Sequence, residues 1–251
     1  MKFKVFIFFL ICFSIARIQA QISVKDSTIF IPMFSGSYSA QIPGGDLGKR
    51  FGINSAIGTK FSIKTKSNYI FGTEYQFLFG DSIKENDILN NLATSSGMII
   101  NNSGQEAEIY FYERGFRINN TVGKLWSTKK GNPNSGIFFL AGIGLLQHKI
   151  RIDDIHRDVP GLSKEYKKGY DRLTNGISFS QTIGYMHFSN NRRINFYVGL
   201  EFTQAVTQNR RSYNYDEMQR DNSNRLDLLN GIKFGWIIPI YKKTPQEFYF
   251  Y

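Results

Sequence analysis

The sequence has 251 residues, of which 31 are basic and 20 acidic, so its formal net charge is +11. Aromatic residues make up 16% of the chain and it contains 23 glycines, a composition that favours strands joined by tight bends. With one cysteine, the chain has no internal disulfide and no thiolate metal cluster. No apolar run reaches the length of a membrane-spanning helix, and the chain length suits one β domain.

Residues 1–20 have the pattern of a cleaved secretory signal peptide. Lys2 and Lys4 precede an apolar run that is shorter than the roughly 20 residues of a spanning helix, and the small residue Ala20 ends the segment. Its removal takes away Cys12 and lowers the formal net charge to +8, because the leader carries three basic residues and no acidic one. An exported basic protein meets anionic lipid before nucleic acid, so we predict no nucleic-acid partner.

Eight segments with alternating apolar residues follow the leader. In chain order they lie near 29–41, 51–64, 69–80, 108–126, 136–152, 177–185, 194–207 and 226–240. The clearest is 194–207, where almost every even position is apolar and the odd positions are mostly polar or small. A period of two predicts a β-strand with one apolar face. The register of the first and fifth strands stays open, because the first contains proline and glycine and the fifth begins apolar on both faces.

The connections between these strands alternate in length. One set is tight (66–68, 129–135 and 190–193), and the other is mostly long and polar (81–107, 153–175 and 208–225), with 43–50 as the short exception. A soluble sandwich has no reason to sort its loops by end, whereas an outer-membrane barrel has short periplasmic turns and long outer loops. We therefore predict an all-β fold for residues 21–241, an eight-stranded antiparallel up-and-down transmembrane β-barrel. A short periplasmic tail, 242–251, follows it.

The polar faces of the strands predict a filled lumen. Reflecting the second strand onto the third about Ser67 places Lys60 opposite Glu74 as a cross-strand ion pair. The other charged residues on inward positions are Glu113, Arg117, Glu201 and Lys233. Eight strands enclose a space just wide enough for side chains, and buried charges need partners. We therefore predict an ion-pair network that closes the lumen, with a proton or ion relay through the same residues as the weaker alternative.

Candidate catalytic chemistry is limited to the segment from Asp153 to Asp158, which contains Asp154 and His156. Surface hydrolases built on barrels place such groups at the outer ends of strands, but a loop of mixed charge is also typical of solvation or of divalent-ion binding. His148 and His187 lie on strands and are interpreted as packing residues. We predict no catalytic residue, no metal site and no cofactor.

Basic residues of the long loops are candidates for contact with glycolipid or a protein partner. They are Lys164, Lys167, Lys168, Arg172, Arg210 and Arg211. Their charge suits the phosphates of lipopolysaccharide. A solvated loop surface is an equally good interpretation of the same pattern.

The last strand carries a sequence typical of outer-membrane barrels. Lys233, Gly235, Ile238 and Ile240 resemble the terminal insertion signal, polar-x-Gly-x-x-apolar-x-apolar. The chain as a whole resembles the small eight-stranded barrels of the OmpA, OmpX and OmpW type. In its tyrosine, asparagine and lysine content it is similar to Bacteroidota barrel proteins, among them the PorG type that accompanies type IX secretion. The resemblance implies insertion by the barrel-assembly machinery into outer-membrane lipid and lipopolysaccharide.

Two classes of function follow from this sequence. The first is a non-enzymatic structural or accessory barrel that docks envelope or secretion partners through its loops or tail. The alternative is an OmpW-like small channel or conduit for hydrophobic molecules, which the charged inward residues disfavour. A surface hydrolase that uses Asp153, Asp154 or His156 is a third, weaker hypothesis.

Overall fold

The computed structural model describes residues 27–85, 87–128, 132–189 and 194–240. The eight strands are β1 (Ile31–Gly44), β2 (Asn54–Lys64), β3 (Tyr69–Gly80), β4 (Ile109–Ser127), β5 (Gly136–Asp154), β6 (Thr174–His187), β7 (Phe196–Asn209) and β8 (Asn224–Pro239). The predicted signal peptide, 1–20, and the tail, 242–251, lie outside the described residues, so both remain predictions.

The strands form one closed barrel in sequence order. Each strand pairs antiparallel with the next, and β8 pairs with β1 to close the ring. The prediction of an eight-stranded antiparallel up-and-down barrel is therefore confirmed. The tight connections lie at one end, called the turn end, and the longer ones lie at the other, called the loop end. No helix of the described segments is long and apolar enough to cross a membrane.

Side chains alternate between the lumen and the outer surface, as the period of two predicts. On β7, Tyr197, Glu201 and Thr203 are buried inside, whereas Val198 and Leu200 are exposed outside. The outward positions of all eight strands carry exposed apolar or aromatic residues over most of their length. The barrel therefore has an apolar outer surface and polar residues in the middle of its lumen.

The structure settles the registers that the sequence left open. Even-numbered residues of β5 face the lumen, so Phe138, Leu146 and Ile150 are buried. Odd-numbered residues of β1 face the lumen in its first part. Phe51, which precedes β2, is an exception to the alternation of that strand, because it packs inside the barrel mouth although Ile53 and Ile57 face outward.

The lumen is filled in layers. The turn-side cluster consists of Ile31, Met33, Ile70, Leu125, Phe138, Leu140, Met186, Phe188, Tyr197 and Ile237. The loop-side cluster includes Leu47, Phe51, Ala56, Leu78, Leu146, Ile150, Ala205 and Leu229, together with residues from the loops. Buried charged residues lie between them, since β3, β7 and β8 each have a charged residue four positions from a member of each cluster.

The long loops fold into a cap, which the sequence did not predict. Three short 3-10 helices, Asp87–Leu92, Pro160–Leu162 and Tyr166–Gly169, lie within it. Apolar residues of the loops, Ile88, Leu89, Val159, Leu162 and Tyr170, are buried and extend the loop-side cluster. These loops, which are polar in overall composition, therefore have an apolar core of their own, because side chains from separate loops bury one another.

A short helix, α1 (Gly45–Arg50), connects β1 and β2 at the loop end. It places Leu47 and Arg50 in buried positions at the barrel mouth. The Arg50 guanidinium lies 3.2 Å from the Glu85 carboxylate and donates to the Thr174 hydroxyl at 3.3 Å. The shortest of the loop-end connections therefore helps to fill the barrel mouth beneath the cap with Leu47 and Arg50.

Candidate functional site

Four charged side chains meet in the middle of the lumen, and we call Glu74, Arg117, Glu201 and Lys233 the charged layer. The Lys233 ammonium lies 2.5 Å from Glu74 Oε1 and 3.0 Å from Glu201 Oε1. The Arg117 guanidinium lies 2.5 Å from the same Glu201 oxygen. Each of these side chains is at most 4% exposed. Two cations and two carboxylates thus neutralise one another away from water.

Neutral polar groups complete the hydrogen bonds of this layer. Gln76 accepts from Arg117 Nη2 at 2.6 Å and donates to Glu74 at 3.2 Å and to Glu201 at 3.4 Å. The other guanidinium nitrogen of Arg117 donates to the Thr203 hydroxyl. A buried ion pair is tolerated only when its remaining donors and acceptors are also satisfied. The layer meets that condition and blocks the lumen.

The structure differs from the sequence prediction at Lys60. Lys60 does lie opposite Glu74 in the β2–β3 register. Glu74, however, points across the barrel to Lys233, and within the described residues no carboxylate oxygen comes within 4.0 Å of the Lys60 ammonium. Lys60 instead lines a cavity of about 20 Å³ beside Ser35, Ser62 and Thr182.

Glu113 also lies outside the network into which the sequence placed it. It is buried on β4, and its two carboxylate oxygens each accept from Asn54 Nδ2 at 2.9 Å. Four residues separate it from Arg117, which is about 13 Å along a strand, so the two cannot meet in one layer. The alternation of side chains along β4 correctly predicted that Glu113 faces the lumen. Its position along the barrel axis, however, excludes it from the charged layer.

The sequence missed a second buried polar cluster, nearer the loop end. His148 Nε2 lies 2.9 Å from Asp227 Oδ2, and the Thr207 hydroxyl donates to the same oxygen at 2.5 Å. Phe51 covers the imidazole edge-on at 5.7 Å between centroids. In a catalytic triad the base lies between the nucleophile and the acid, whereas here the carboxylate lies between the other two. This cluster is therefore arranged for packing.

The acidic segment at the start of the β5–β6 loop, residues 153–158, has structural contacts. Asp154 accepts the backbone N–H groups of Arg157 at 3.0 Å and Val159 at 3.3 Å. Asp153 pairs with Arg151 at 3.0 Å, and His156 faces Glu108 at 3.8 Å. None of these contacts joins a nucleophile to a base, and no group of three or more potential metal ligands occurs in the part of the chain that the structure describes.

Two of the predicted basic contact residues are occupied within the cap. Arg172 is buried and pairs with Asp216 at 2.5 Å, Glu217 at 3.1 Å and Glu85 at 3.6 Å. Arg211 donates two hydrogen bonds to Asp171, at 2.7 and 2.5 Å. Both arginines therefore hold loops together instead of presenting free charge to a partner.

The remaining basic residues of that group lie nearer the surface. Lys168 pairs with Glu165 at 2.7 Å, and Arg210 donates to Asn175 at 2.5 Å. Lys164 and Lys167 line an open cleft of about 840 Å³ at the loop end. These two lysines are the members of the predicted set that retain access to a ligand in a recess.

The residues of the predicted insertion signal lie on both faces of β8 and, for Ile240, directly after it. Lys233 and Gly235 face the lumen, whereas Ile238 and Ile240 face outward. A Cβ atom on Gly235 would lie 2.2 Å from the Tyr197 ring, so glycine is required for packing there. A role for the segment in insertion remains a prediction.

Known proteins show distant similarity to this chain in structure but no match in sequence. No family model matches the sequence, and the search of curated proteins found no match. The chain is similar to Ail, the attachment invasion locus protein of Yersinia pestis, solved with the heparin analogue sucrose octasulfate, at 9% identity and a TM-score of 0.45 over 83% of this chain and 99% of that one. We transfer no residue role from a similarity this distant.

Two further solved structures are similar. Neisserial surface protein A has 10% identity and a TM-score of 0.43, covering 82% of this chain and 95% of that one. The outer membrane protein OprG from Pseudomonas aeruginosa has 10% identity and a TM-score of 0.31, covering 86% and 99%.

Proposed function

We propose that the protein is a non-enzymatic outer-membrane β-barrel that serves as a structural or accessory subunit and docks an envelope protein through its cap. The observation that carries the proposal is the combination of a lumen closed by the charged layer with a folded, exposed cap. If the barrel neither conducts solutes nor catalyses a reaction, it acts through its exposed surfaces, by binding other molecules.

The outer surface supports placement in a membrane. On β4 the outward cations Arg114 and Lys124 flank a stretch whose outward residues are apolar except for Asn120. Each cation lies over a tyrosine ring, Arg114 over Tyr112 at 4.9 Å and Lys124 over Tyr69 at 5.0 Å. They are ten residues apart, which is about 33 Å of strand, or about 23 Å across a bilayer at a tilt near 45°. This matches the roughly 25 Å apolar band of outer-membrane barrels. We propose an orientation with the long loops outside the cell and the turns and the tail in the periplasm.

The cap offers a protein-docking surface. Tyr166, Tyr213 and Met218 are 55%, 40% and 70% exposed, and the rings of Tyr166 and Tyr213 neighbour Tyr215 at 6.2 and 6.1 Å. Tyrosine and methionine are enriched in interfaces, and anchors on a rigid support lose little entropy on binding. The pairing of Arg211 with Asp171 supplies such a support.

The docking proposal can be tested in native membranes. A tagged full-length chain is extracted in mild detergent, and its size and companions are compared with those of a Tyr166→Ser, Tyr213→Ser, Met218→Ser variant. The control is Met98→Ser, an apolar residue on another loop that is 40% exposed, as Tyr213 is. We expect a stoichiometric partner with the wild type and the control but not with the triple variant. A wild-type protein that migrates as a lone barrel, or a triple variant that keeps its partner, would contradict the proposal.

The channel hypothesis has its own measurement. Because the charged layer lies between two apolar clusters, we expect the purified barrel to leave planar-bilayer conductance at the level of lipid alone. Discrete conductance steps that change with Lys233→Met would favour the conduit instead. The hydrolase hypothesis predicts that His156→Ala abolishes a hydrolytic activity. We expect the variant to lose only the contact between His156 and Glu108.

A further inference from the structure

Three cations lie together on the outer face of the barrel near the loop end. The β4–β5 register places Arg114 directly opposite Lys149 and places Tyr112 opposite Arg151. All of these side chains lie on outward positions, since their neighbours Glu113 and Ile150 are buried inside. Like charges directly opposite each other on one face of a sheet destabilise the pair. The arrangement therefore needs a compensating anion.

The cations have few carboxylate partners within the protein. Arg114 Nη1 donates to the backbone carbonyl of Glu113 at 2.6 Å, and the described residues place no carboxylate oxygen within 4.0 Å of its guanidinium. Lys149 lies 3.7 Å from Asp171, whose carboxylate already accepts both hydrogen bonds from Arg211.

Arg151, the third cation, pairs with Asp153 at 3.0 Å. It is the one member of the group with a carboxylate of its own. One dedicated carboxylate thus serves three positive side chains, and the face keeps net positive charge.

The position of this group selects an amphiphilic ligand. Arg114 marks the border of the apolar band, and the next outward residues of β4 toward the turn end are Phe116 and Ile118. A surface recess of about 360 Å³ on the β2–β3 side of Arg114 is lined by Ile53, Phe79, Asp81, Tyr112 and Arg114, among other residues, and of the three cations it contains Arg114 alone. A ligand at all three cations would therefore place its anionic group on the β4–β5 side of Arg114, away from Asp81, and its apolar chains along the band.

We propose that Arg114, Lys149 and Arg151 bind a phosphate group of an outer-leaflet glycolipid. The inference rests on the proposed membrane placement and adds a defined lipid site to it. A guanidinium presents paired N–H donors that fit phosphate oxygens, and the ammonium of Lys149 adds a point charge on the facing strand. The apolar residues below Arg114 bind the acyl chains. The site faces the membrane, and it is separate from the basic loop residues that the sequence singled out.

The test uses the full chain in nanodiscs of neutral phospholipid, with diphosphoryl lipid A as the probe and native mass spectrometry as the readout. Arg114→Gln with Lys149→Gln is the test variant, and Lys124→Gln is the matched control, because Lys124 has the same tyrosine stacking at the opposite border. We expect the double variant to lose affinity about tenfold for each cation removed, and the control to bind as the wild type does.

Competing probes identify the source of the phosphate. Dephosphorylated lipid A should bind weakly, and inorganic phosphate or phosphatidylglycerol should not displace the probe. Equal binding by the double variant, or equal binding of phosphatidylglycerol, would overturn the inference. Heat-modifiable migration of each variant checks folding. A chain that fails to integrate into bilayers contradicts the membrane placement, whereas an integrated barrel without probe binding contradicts the lipid site alone.

Discussion

The charged layer of the lumen and the ionic cluster of the cap, in which Arg172 pairs with Glu85, Asp216 and Glu217, use the same chemistry in different surroundings. Both pair arginine with carboxylates at distances from 2.5 Å. In the lumen, Arg117 and Glu201 are 1% and 3% exposed and lie on rigid strands. In the cap, Glu217 is 40% exposed and its segment is a loop. Cap charges can regain water by a local movement, whereas lumen charges regain it only when the barrel opens.

The largest effect should come from Glu201→Gln. This change removes the carboxylate that Arg117 and Lys233 share, and leaves the Arg117 guanidinium buried without a counter-charge. Breaking a buried pair on one side costs about 3–5 kcal/mol. We expect that loss in the free energy of unfolding, measured by urea titration of the barrel in vesicles.

A double variant checks the cause of that loss. Lys233→Met together with Glu74→Gln replaces both members of an ion pair by neutral groups of similar size. Removing both charges should cost less than the sum of the single changes. Additive losses would show that packing, and not charge, determines the effect.

A smaller and local effect is expected from Arg172→Ala. The change leaves Asp216 without its ion pair and separates the β3–β4, β5–β6 and β7–β8 loops. We expect a loss of about 2 kcal/mol, the worth of a charged hydrogen bond, confined to the cap. Hydrogen exchange should show faster exchange of loop amides and unchanged exchange of strand amides. Equal loosening of the strands would mean that cap and barrel unfold as one unit.

Acid should loosen the cap near Asp221. Burial disfavours the charged carboxylate, but hydrogen bonds from Ser223 and Arg225 outweigh burial and lower the pKa of Asp221 from 3.8 to about 2. Because the folded pKa lies below the unfolded value, the stabilisation is present above pH 3.8 and is lost as the pH falls toward 2. NMR of the Ser223 amide, which donates to Asp221 at 3.0 Å, should report this loss. Asp221→Asn should abolish the dependence.

The smallest effect is expected from Glu165→Gln, the same chemical change as in the lumen. Glu165 and Lys168 pair at 2.7 Å, but their side chains are 75% and 51% exposed. Exposed pairs contribute little because water solvates both charges. We expect no measurable change in urea unfolding. A loss comparable to that of Glu201→Gln would remove the distinction between the two ionic clusters.

Strand parity predicted much of the lumen from the sequence. It identified Glu74, Arg117, Glu201 and Lys233 as inward residues, because the outward positions of their strands are mostly apolar. It did not predict that Glu74 contacts Lys233 instead of Lys60, since contacts across a barrel depend on strand tilt and stagger. The register of the fifth strand could not be predicted, because its inward residues Phe138, Leu146 and Ile150 are apolar like its outward ones.

The cap was much less predictable. Its buried apolar residues are scattered among polar ones without a period, and their partners lie in other loops. Arg172 and Asp216 are 44 residues apart, and Arg211 and Asp171 are 40 apart, so their charges looked free in the sequence. Parity relates neighbours within a strand and gives no information about such distant pairs.

The charged layer also constrains how the protein assembles. Arg117 with Glu201 joins β4 to β7, and Lys233 with Glu74 joins β8 to β3, so both halves of the chain are required. A partly inserted sheet would expose four uncompensated charges to its surroundings. We expect half-barrels to be rejected from the bilayer until the β1–β8 seam forms. Neutralisation of the four charges would then coincide with closure of the barrel.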